Sequence, residues 1–133
     1  MSKKDIGLSH EQVVKAFYDA LMKKNLKSLD SLCTEDATLM WALYKFEGRN
    51  EIKKWAAELG EHFCKLIIDH TFMDGGKDYI VHKFNLKVTM PNGRRGWIPG
   101  VGKYEFKDRK LKQIWMNPIR SSGNILITQK DLL

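Results

Sequence analysis

Apolar residues in the first half of the chain recur at helical spacing, and beyond Phe63 they recur at every second position. Val13, Phe17, Ala20 and Leu21 share one face of a 3.6-residue repeat, which predicts a helix over residues 9–24. Ser9 with Gln12 three positions on has the spacing of a capping box, and Asn25 is a natural stop. Leu26, Leu29 and Leu32 predict a second, short helix, Thr34-Glu35-Asp36 a turn, and Ala37 to Tyr44 a strand. A third helix starts near Asn50, after Gly48, with Ile52, Trp55, Ala56, Leu59 and Phe63 as its apolar stripe.

Four strands then follow, Leu66–Met73, Asp78–Met90, Arg95–Phe106 and Leu111–Ile119. They are separated by turns at Asp74-Gly75-Gly76, Pro91-Asn92-Gly93 and Lys107 to Lys110, the Asn-Gly pair supplying the positive φ that a tight hairpin needs. Gly96, Gly100 and Gly102 around Pro99 predict a bulge or bend in the strand from Arg95, and a bulge leaves open whether Trp97, Lys103 or Tyr104 faces inward. On the last strand Leu111, Gln113, Trp115 and Asn117 share a face against Lys112, Ile114 and Met116, and neither face is decisively apolar. Segregated helices and antiparallel strands mean an α+β fold with the helices over one face of the sheet. A chain of 133 residues has room for one such domain and one core. The tail over residues 121–133 lies outside the pattern, though Ile125-Leu126-Ile127 needs a docking surface, such as a second subunit.

Four stretches then carry a family pattern: Val13-Val14-Lys15-Ala16-Phe17-Tyr18-Asp19-Ala20-Leu21, Leu26 to Leu32, Asp36-Ala37-Thr38 and Gly48-Arg49-Asn50-Glu51-Ile52. Together they resemble the nuclear-transport-factor-2-like superfamily, in the branch that holds SnoaL-like polyketide cyclases and ketosteroid isomerase. The order of elements matches over residues 10–119. The resemblance implies a cone-shaped helix-helix-strand-helix unit followed by a four-strand antiparallel meander, the sheet curving around a pocket. It also implies a homodimer formed through the outer face of that sheet. It says little about activity, because this fold hosts enzymes, binding modules and dimerisation domains alike.

One activity can be tested residue by residue. Ketosteroid isomerase works with an Asp base and an oxyanion hole of a Tyr and a protonated Asp. An ungapped overlay puts Phe17 at the Tyr, Trp41 at the base and Gly102 at the oxyanion Asp. None of the three can do the corresponding chemistry, so steroid isomerisation by that mechanism is not expected. Scytalone dehydratase and limonene epoxide hydrolase resemble the chain in fold only, and none of their motifs is complete here. The same overlay makes Phe17, Trp41 and Trp55 wall residues of the pocket. With Leu59, Phe84, Trp97 and Trp115 they form the expected aromatic lining, the plain alternative being that such large side chains merely fill the core.

The candidate catalytic pair is His70 and His82. Ile68-x-His70-x-Phe72 and Ile80-x-His82-x-Phe84 repeat one motif on consecutive strands. Pairing Asp74 with Asp78 around Gly75-Gly76-Lys77 sets His70 opposite His82, Ile68 opposite Phe84 and Phe72 opposite Ile80. A register one residue away would break the match of apolar faces. Asp69, Thr71, Lys83, Asn85 and Lys87 occupy the other, solvent-facing side, so Asp69 cannot form a dyad with His70. Two imidazoles on an apolar wall have lowered pKa values, which suits a general base or a hydrogen-bonding pair for a polar substrate group. The alternative is a pair of satisfied core histidines. A metal needs a third ligand, and the sequence supplies none; nor is there a glycine-rich phosphate loop, so no cofactor is expected. His10 and His62 fall at helix ends and are expected to be solvated.

Composition narrows the classes further. No apolar run could cross a bilayer, and no apolar segment follows Met1-Ser2-Lys3-Lys4-Asp5 as in a signal peptide, so a cytoplasmic location is expected. Cys33 and Cys64 lack zinc-site spacing and are expected to be buried small hydrophobes. The formal net charge of +7 is spread along the sequence, and only the fold could gather it into one stripe. A nucleic-acid partner is therefore not expected, and basic residues interleaved with aromatics on the open sheet face would be its mark. The expected function is a pocket that binds or transforms a small hydrophobic or aromatic molecule by isomerase, cyclase or dehydratase chemistry. A non-catalytic ligand-binding or dimerisation module, with a filled core, is the alternative.

Overall fold

The computed structural model describes residues 9–119 and 122–123. The elements are α1 (His10–Lys23), a 3-10 turn (Leu26–Ser28) running into α2 (Leu29–Leu32), β1 (Cys33–Trp41), β2 (Tyr44–Glu47), α3 (Arg49–His62), β3 (Lys65–Gly75), β4 (Tyr79–Thr89), β5 (Arg95–Lys107), β6 (Lys110–Pro118) and β7 (Ser122–Gly123). The fold is α+β as expected, with the helices against one face of a curved, unclosed sheet of order β2-β1-β6-β5-β4-β3. Strands β3 to β6 form the antiparallel meander. β1 joins it parallel to β6, which makes the sheet mixed, and β7 pairs with β5.

α1 starts where its capping box places it: the Ser9 side chain accepts from the Gln12 N–H, and the Gln12 side chain accepts from the Ser9 N–H. It ends at Lys24 in the left-handed region, whose N–H closes on Ala20 and Leu21 carbonyls. Arg49 ties α3 to α2 by donating to the Asp30 and Cys33 carbonyls at 3.2 and 3.3 Å. Lys53 adds an ion pair to Asp30 at 2.6 Å, and this hydrogen bond draws the Asp30 carboxyl below its usual pKa. Gly60 sits inside α3, where the atoms nearest an added Cβ belong to the flexible Lys24 side chain, the first of them at 3.4 Å. Gly60→Ala is therefore expected to stabilise the protein by about 0.5–1 kcal/mol, read as a rise in the urea midpoint.

Three local expectations fail, two of them through backbone register. Thr34-Glu35-Asp36 is extended within β1, and the irregularity shows as a register shift between Cys33 and Thr38. β5 pairs with β4 without interruption from Arg95 to Glu105, so the glycines around Pro99 make no bulge. The bulge lies opposite, at Lys112, where the β5–β6 register shifts between Glu105 and Phe106. It moves Leu111 to the same buried side as Ile114 and Met116, leaving Gln113, Trp115 and Asn117 outside. Cys33 is buried, and burial pushes its thiol up to about 12. Cys64 is instead exposed, its thiol donating to the Thr89 and Met90 carbonyls at 3.4 and 3.5 Å.

Among the described residues no helix is long and apolar enough to cross a membrane. Apart from Ser122 and Gly123, the tail expectation, including Ile125-Leu126-Ile127, lies outside the described residues.

Candidate functional site

β3 and β4 bring the two histidines together, though not in the expected register. His70 lies opposite Phe84, Phe72 opposite His82 and Ile68 opposite Leu86, with a bulge at Met73 between Phe72 and Asp74. The hairpin closes at Gly75↔Ile80 rather than at Asp74 and Asp78. The result is a shift of two residues, and because strand side chains alternate with period two, both imidazoles keep the inner face. They meet diagonally, Nδ1 to Nδ1 at 3.0 Å, with ring planes 26° apart. Asp69, Thr71, Lys83 and Lys87 are exposed on the other face, so no Asp69–His70 dyad forms.

Two tyrosines complete the cluster. Tyr18 from α1 and Tyr104 from β5 are fully buried and hydrogen-bonded hydroxyl to hydroxyl. The Tyr18 ring centroid lies 4.8 Å from His70 and 6.4 Å from His82, and the Tyr104 centroid lies 6.0 Å from His82. Gly102, beside His82 on β5, makes room for this arrangement: a Cβ there would come within 2.5 Å of the Tyr104 hydroxyl. The space that a side chain at 102 would fill is thus occupied by a phenol. Neither tyrosine stood among the expected site residues. Val14, Tyr18 and Leu21 at i, i+4 and i+7 carry the signal for Tyr18, and unbroken alternation from Ile98 to Phe106 carries it for Tyr104.

Electrostatically the cluster is neutral. Burial, with Lys15 nearby, lowers the His70 pKa, while burial and then His70 itself lower that of His82. Burial raises both tyrosine pKa values well above the usual range. In a neutral pair one Nδ1–H donates to the other Nδ1. When His82 is the donor, its Nε2 is a bare lone pair; when His70 is, that Nε2 carries a proton. The atom is buried and has no hydrogen-bond partner. A folded-state histidine pKa below the unfolded value means that the unfolded chain binds protons first. The stability that the neutral pair contributes is present above about pH 6.5 and is lost as pH falls below it. The melting temperature is accordingly expected to drop on acidification from pH 7.5 to 5, with a shallower drop in His82→Phe, measured by circular dichroism.

The remaining candidates separate into two groups. Phe17, Trp41, Trp55, Leu59 and Phe84 are buried beneath the helices, with Trp41 6.2 Å from Trp55 and 6.4 Å from Phe84 between ring centroids. Trp97 and Trp115 are on the opposite, outer face, because β5 alternates regularly and β6 changes parity at Lys112. Trp97, 44% exposed, helps line a cleft of about 460 Å³ with Lys65, Ile67, Lys87 and Arg95. Two other described clefts lie between α1 and α2 and at the start of α3, and none of the three reaches Phe17, Trp41, Trp55 or His82. His10 stacks on Phe106 and His62 leans on Phe63, both half-buried rather than solvated. Among the described residues no three His, Cys, Asp or Glu side chains could hold a metal ion.

A helical cap over a curved mixed sheet, with polar groups converging inside the cone, defines a nuclear-transport-factor-2-like protein. The family model for the SnoaL-like domain matches residues 14–114, and the chain belongs to that family. No curated protein matches the sequence. Among solved structures, the chain is similar to a protein provisionally named a SnoaL-like polyketide cyclase from Jannaschia sp. CCS1, at 16% identity over 82% of this chain and 84% of that one, with a TM-score of 0.72. It is similar to SalBIII, an epoxide hydrolase/cyclase-like enzyme in pyran ring formation in the polyether salinomycin, at 14% identity over 83% and 90% of the chains, TM-score 0.73. An LEH-like epoxide hydrolase from M. tuberculosis is similar at 12% identity over 81% and 80%, TM-score 0.70. At such identities these likenesses speak for the fold alone.

Proposed function

We propose that the chain binds a small, neutral, largely aromatic molecule at the His70–His82 pair and moves a proton on it, in chemistry of the isomerase, cyclase or dehydratase type. The carrying observation is the buried, unpartnered Nε2 of His82 beside three other polar side chains on one inner patch. His82 Nε2 takes the substrate proton, and the Nδ1 contact lets His70 share the charge that results. In the tyrosine pair one O–H is used between the two hydroxyls, and the other is free to donate to an oxyanion developing on the substrate. Entry is from the end of β3, where His70 is half-buried and Phe72 and Met73 are exposed.

The test uses 5-nitrobenzisoxazole, a neutral aromatic that loses a ring C–H to a general base while its N–O bond breaks to give a coloured phenolate. Saturable turnover by the protein, rising with pH through the histidine range and levelling above it, supports the reading. A rate no better than that of free imidazole at the same concentration contradicts it.

The packed aromatic wall favours a second reading, a ligand-binding or dimerisation module without catalysis, and the same assay separates the two. Homodimerisation is proposed through the outer sheet face, where Ile67, Trp97, Pro99, Val101 and Trp115 lie together. That face also gathers Lys83, Lys87, Arg95 and Lys103 beside the two tryptophans, the interleaving that a nucleic-acid-associated domain would carry. Asp69 and Glu105 pair with Lys87 and Lys103 at 2.8 and 3.7 Å and remove half of that charge. Cys33 and Cys64 are both free, which suits the cytoplasm.

A further inference from the structure

Among the described residues outside the histidine–tyrosine cluster, two wholly buried side chains also carry an unpartnered polar atom. The indole N–H groups of Trp41, on β1, and Trp55, on α3, are buried without a hydrogen-bond acceptor in side chains that are 0% and 1% exposed. Their rings lie 6.2 Å apart, walled by Phe84 against Trp41 and Phe46 against Trp55. Indole N–H can only donate, so nothing but an acceptor can satisfy these groups, and a buried donor left unmade is costly. The paired residues His82↔Gly102, Gly102↔Met116 and Met116↔Trp41 place the indole end on the same cross-strand row as His82. Three strand spacings, about 14 Å, separate the ends of that row.

Charge is the second constraint. Outside the tyrosines, the indoles and the Cys33 thiol, which burial keeps neutral, His82 is the only polar or ionisable side chain among the described buried residues, and its pKa is lowered by burial. The described interior therefore has no cation to balance an anionic ligand and no carboxylate to balance a cationic one.

We infer that Trp41 and Trp55 form a second, donor subsite, which fixes a carbonyl or ether oxygen of an uncharged aromatic ligand at the end of the cone opposite His82. The inference rests on the proposed function, since it supplies the orientation and the charge class of the ligand at that same site. The ligand then has an acceptor oxygen at one end, a proton-bearing group at the other, and an apolar body between them.

Three probes of one shape separate the possibilities: 2-acetylnaphthalene, which carries a neutral acceptor; 2-ethylnaphthalene, which carries none; and 2-naphthoate, which carries a charge. Each is titrated into uniformly ¹⁵N-labelled protein while the indole N–H cross-peaks of the four tryptophans are followed. With 2-acetylnaphthalene the Trp41 and Trp55 peaks should move downfield while those of Trp97 and Trp115 stay. Its affinity should exceed that of 2-ethylnaphthalene by about tenfold, with 2-naphthoate weaker than either. Trp41→Phe and Trp55→Phe should each bring the affinity for the ketone down to that for 2-ethylnaphthalene measured on the same variant, with an unchanged far-ultraviolet circular dichroism spectrum reporting that the variants fold. Ketone binding without movement of either indole peak, or equal affinity for the ethyl compound, overturns the subsite. If 5-nitrobenzisoxazole turnover persists in that case, the proposed function stands and only the subsite falls. If no probe binds and turnover is absent, both fall.

Discussion

Gly100→Ala is expected to destabilise the protein by about 3 kcal/mol, near the upper end of the usual range for overpacking. Gly100 is buried on the inner face of β5, and a Cβ built there would collide with the Phe84 ring and lie 2.5 Å from the backbone carbonyl of Asn117. The ring could rotate away only by giving up its stack on Trp41, and the carbonyl belongs to a paired strand and cannot retreat. Urea unfolding should show a midpoint lowered by roughly 2 M at an m-value of about 1.5 kcal/mol/M. The glycine is thus a packing device: it lets the tip of the Phe84 ring approach the backbone of β5. A Gly100→Ala midpoint unchanged from the parent would mean that Phe84 is not held where it is described.

His82→Gln is expected to lower 5-nitrobenzisoxazole turnover by about 100-fold or more, the span in which general-base contributions fall. Glutamine is similar in length and can still hydrogen-bond to His70, but it cannot accept a proton at neutral pH. His70→Gln should cost less, about tenfold, because His70 acts through its Nδ1 contact with His82 rather than on the substrate. The two variants together read the roles apart. Equal losses would make the pair a single titrating unit, and a full rate in His82→Gln would remove general-base chemistry from the account.

Much of the fold was legible because it rests on long periodic segments. The capping box of α1, the stripe of α3 and the alternation of β4 each announce an element that packing then confirms. What escaped was single-residue irregularity. The bulges at Met73 and Lys112 leave no composition signal, and each changes which residues face each other. The histidine pair survived because a shift of two preserves the face of a strand. Trp97 and Trp115 did not, because their side depended on where the bulge falls. The glycines of β5 misled for a physical reason: Phe84 and Tyr104 lie against Gly100 and Gly102, and the pairing of β4 with β5 carries no bulge there. Tyr18 was hidden in a helix whose apolar face is wider than the stripe of Val13, Phe17, Ala20 and Leu21 suggests, since Val14 and Tyr18 are equally buried. The parallel pairing of β1 with β6 joins segments far apart in sequence and could not be read locally.

The central claim is that half-buried His70 and buried His82 form a neutral imidazole pair with a lone pair available inside the cone. Histidine-selective ¹⁵N NMR between pH 8 and 4.5 measures this directly, through the charge and tautomer of each ring. The account requires both rings to be neutral at pH 6.5 and to titrate below the ordinary histidine value, with Nδ1 of His82 protonated and its Nε2 bare. Ordinary titration near pH 6.5 in both rings, or a charged His82 at neutral pH, would contradict it.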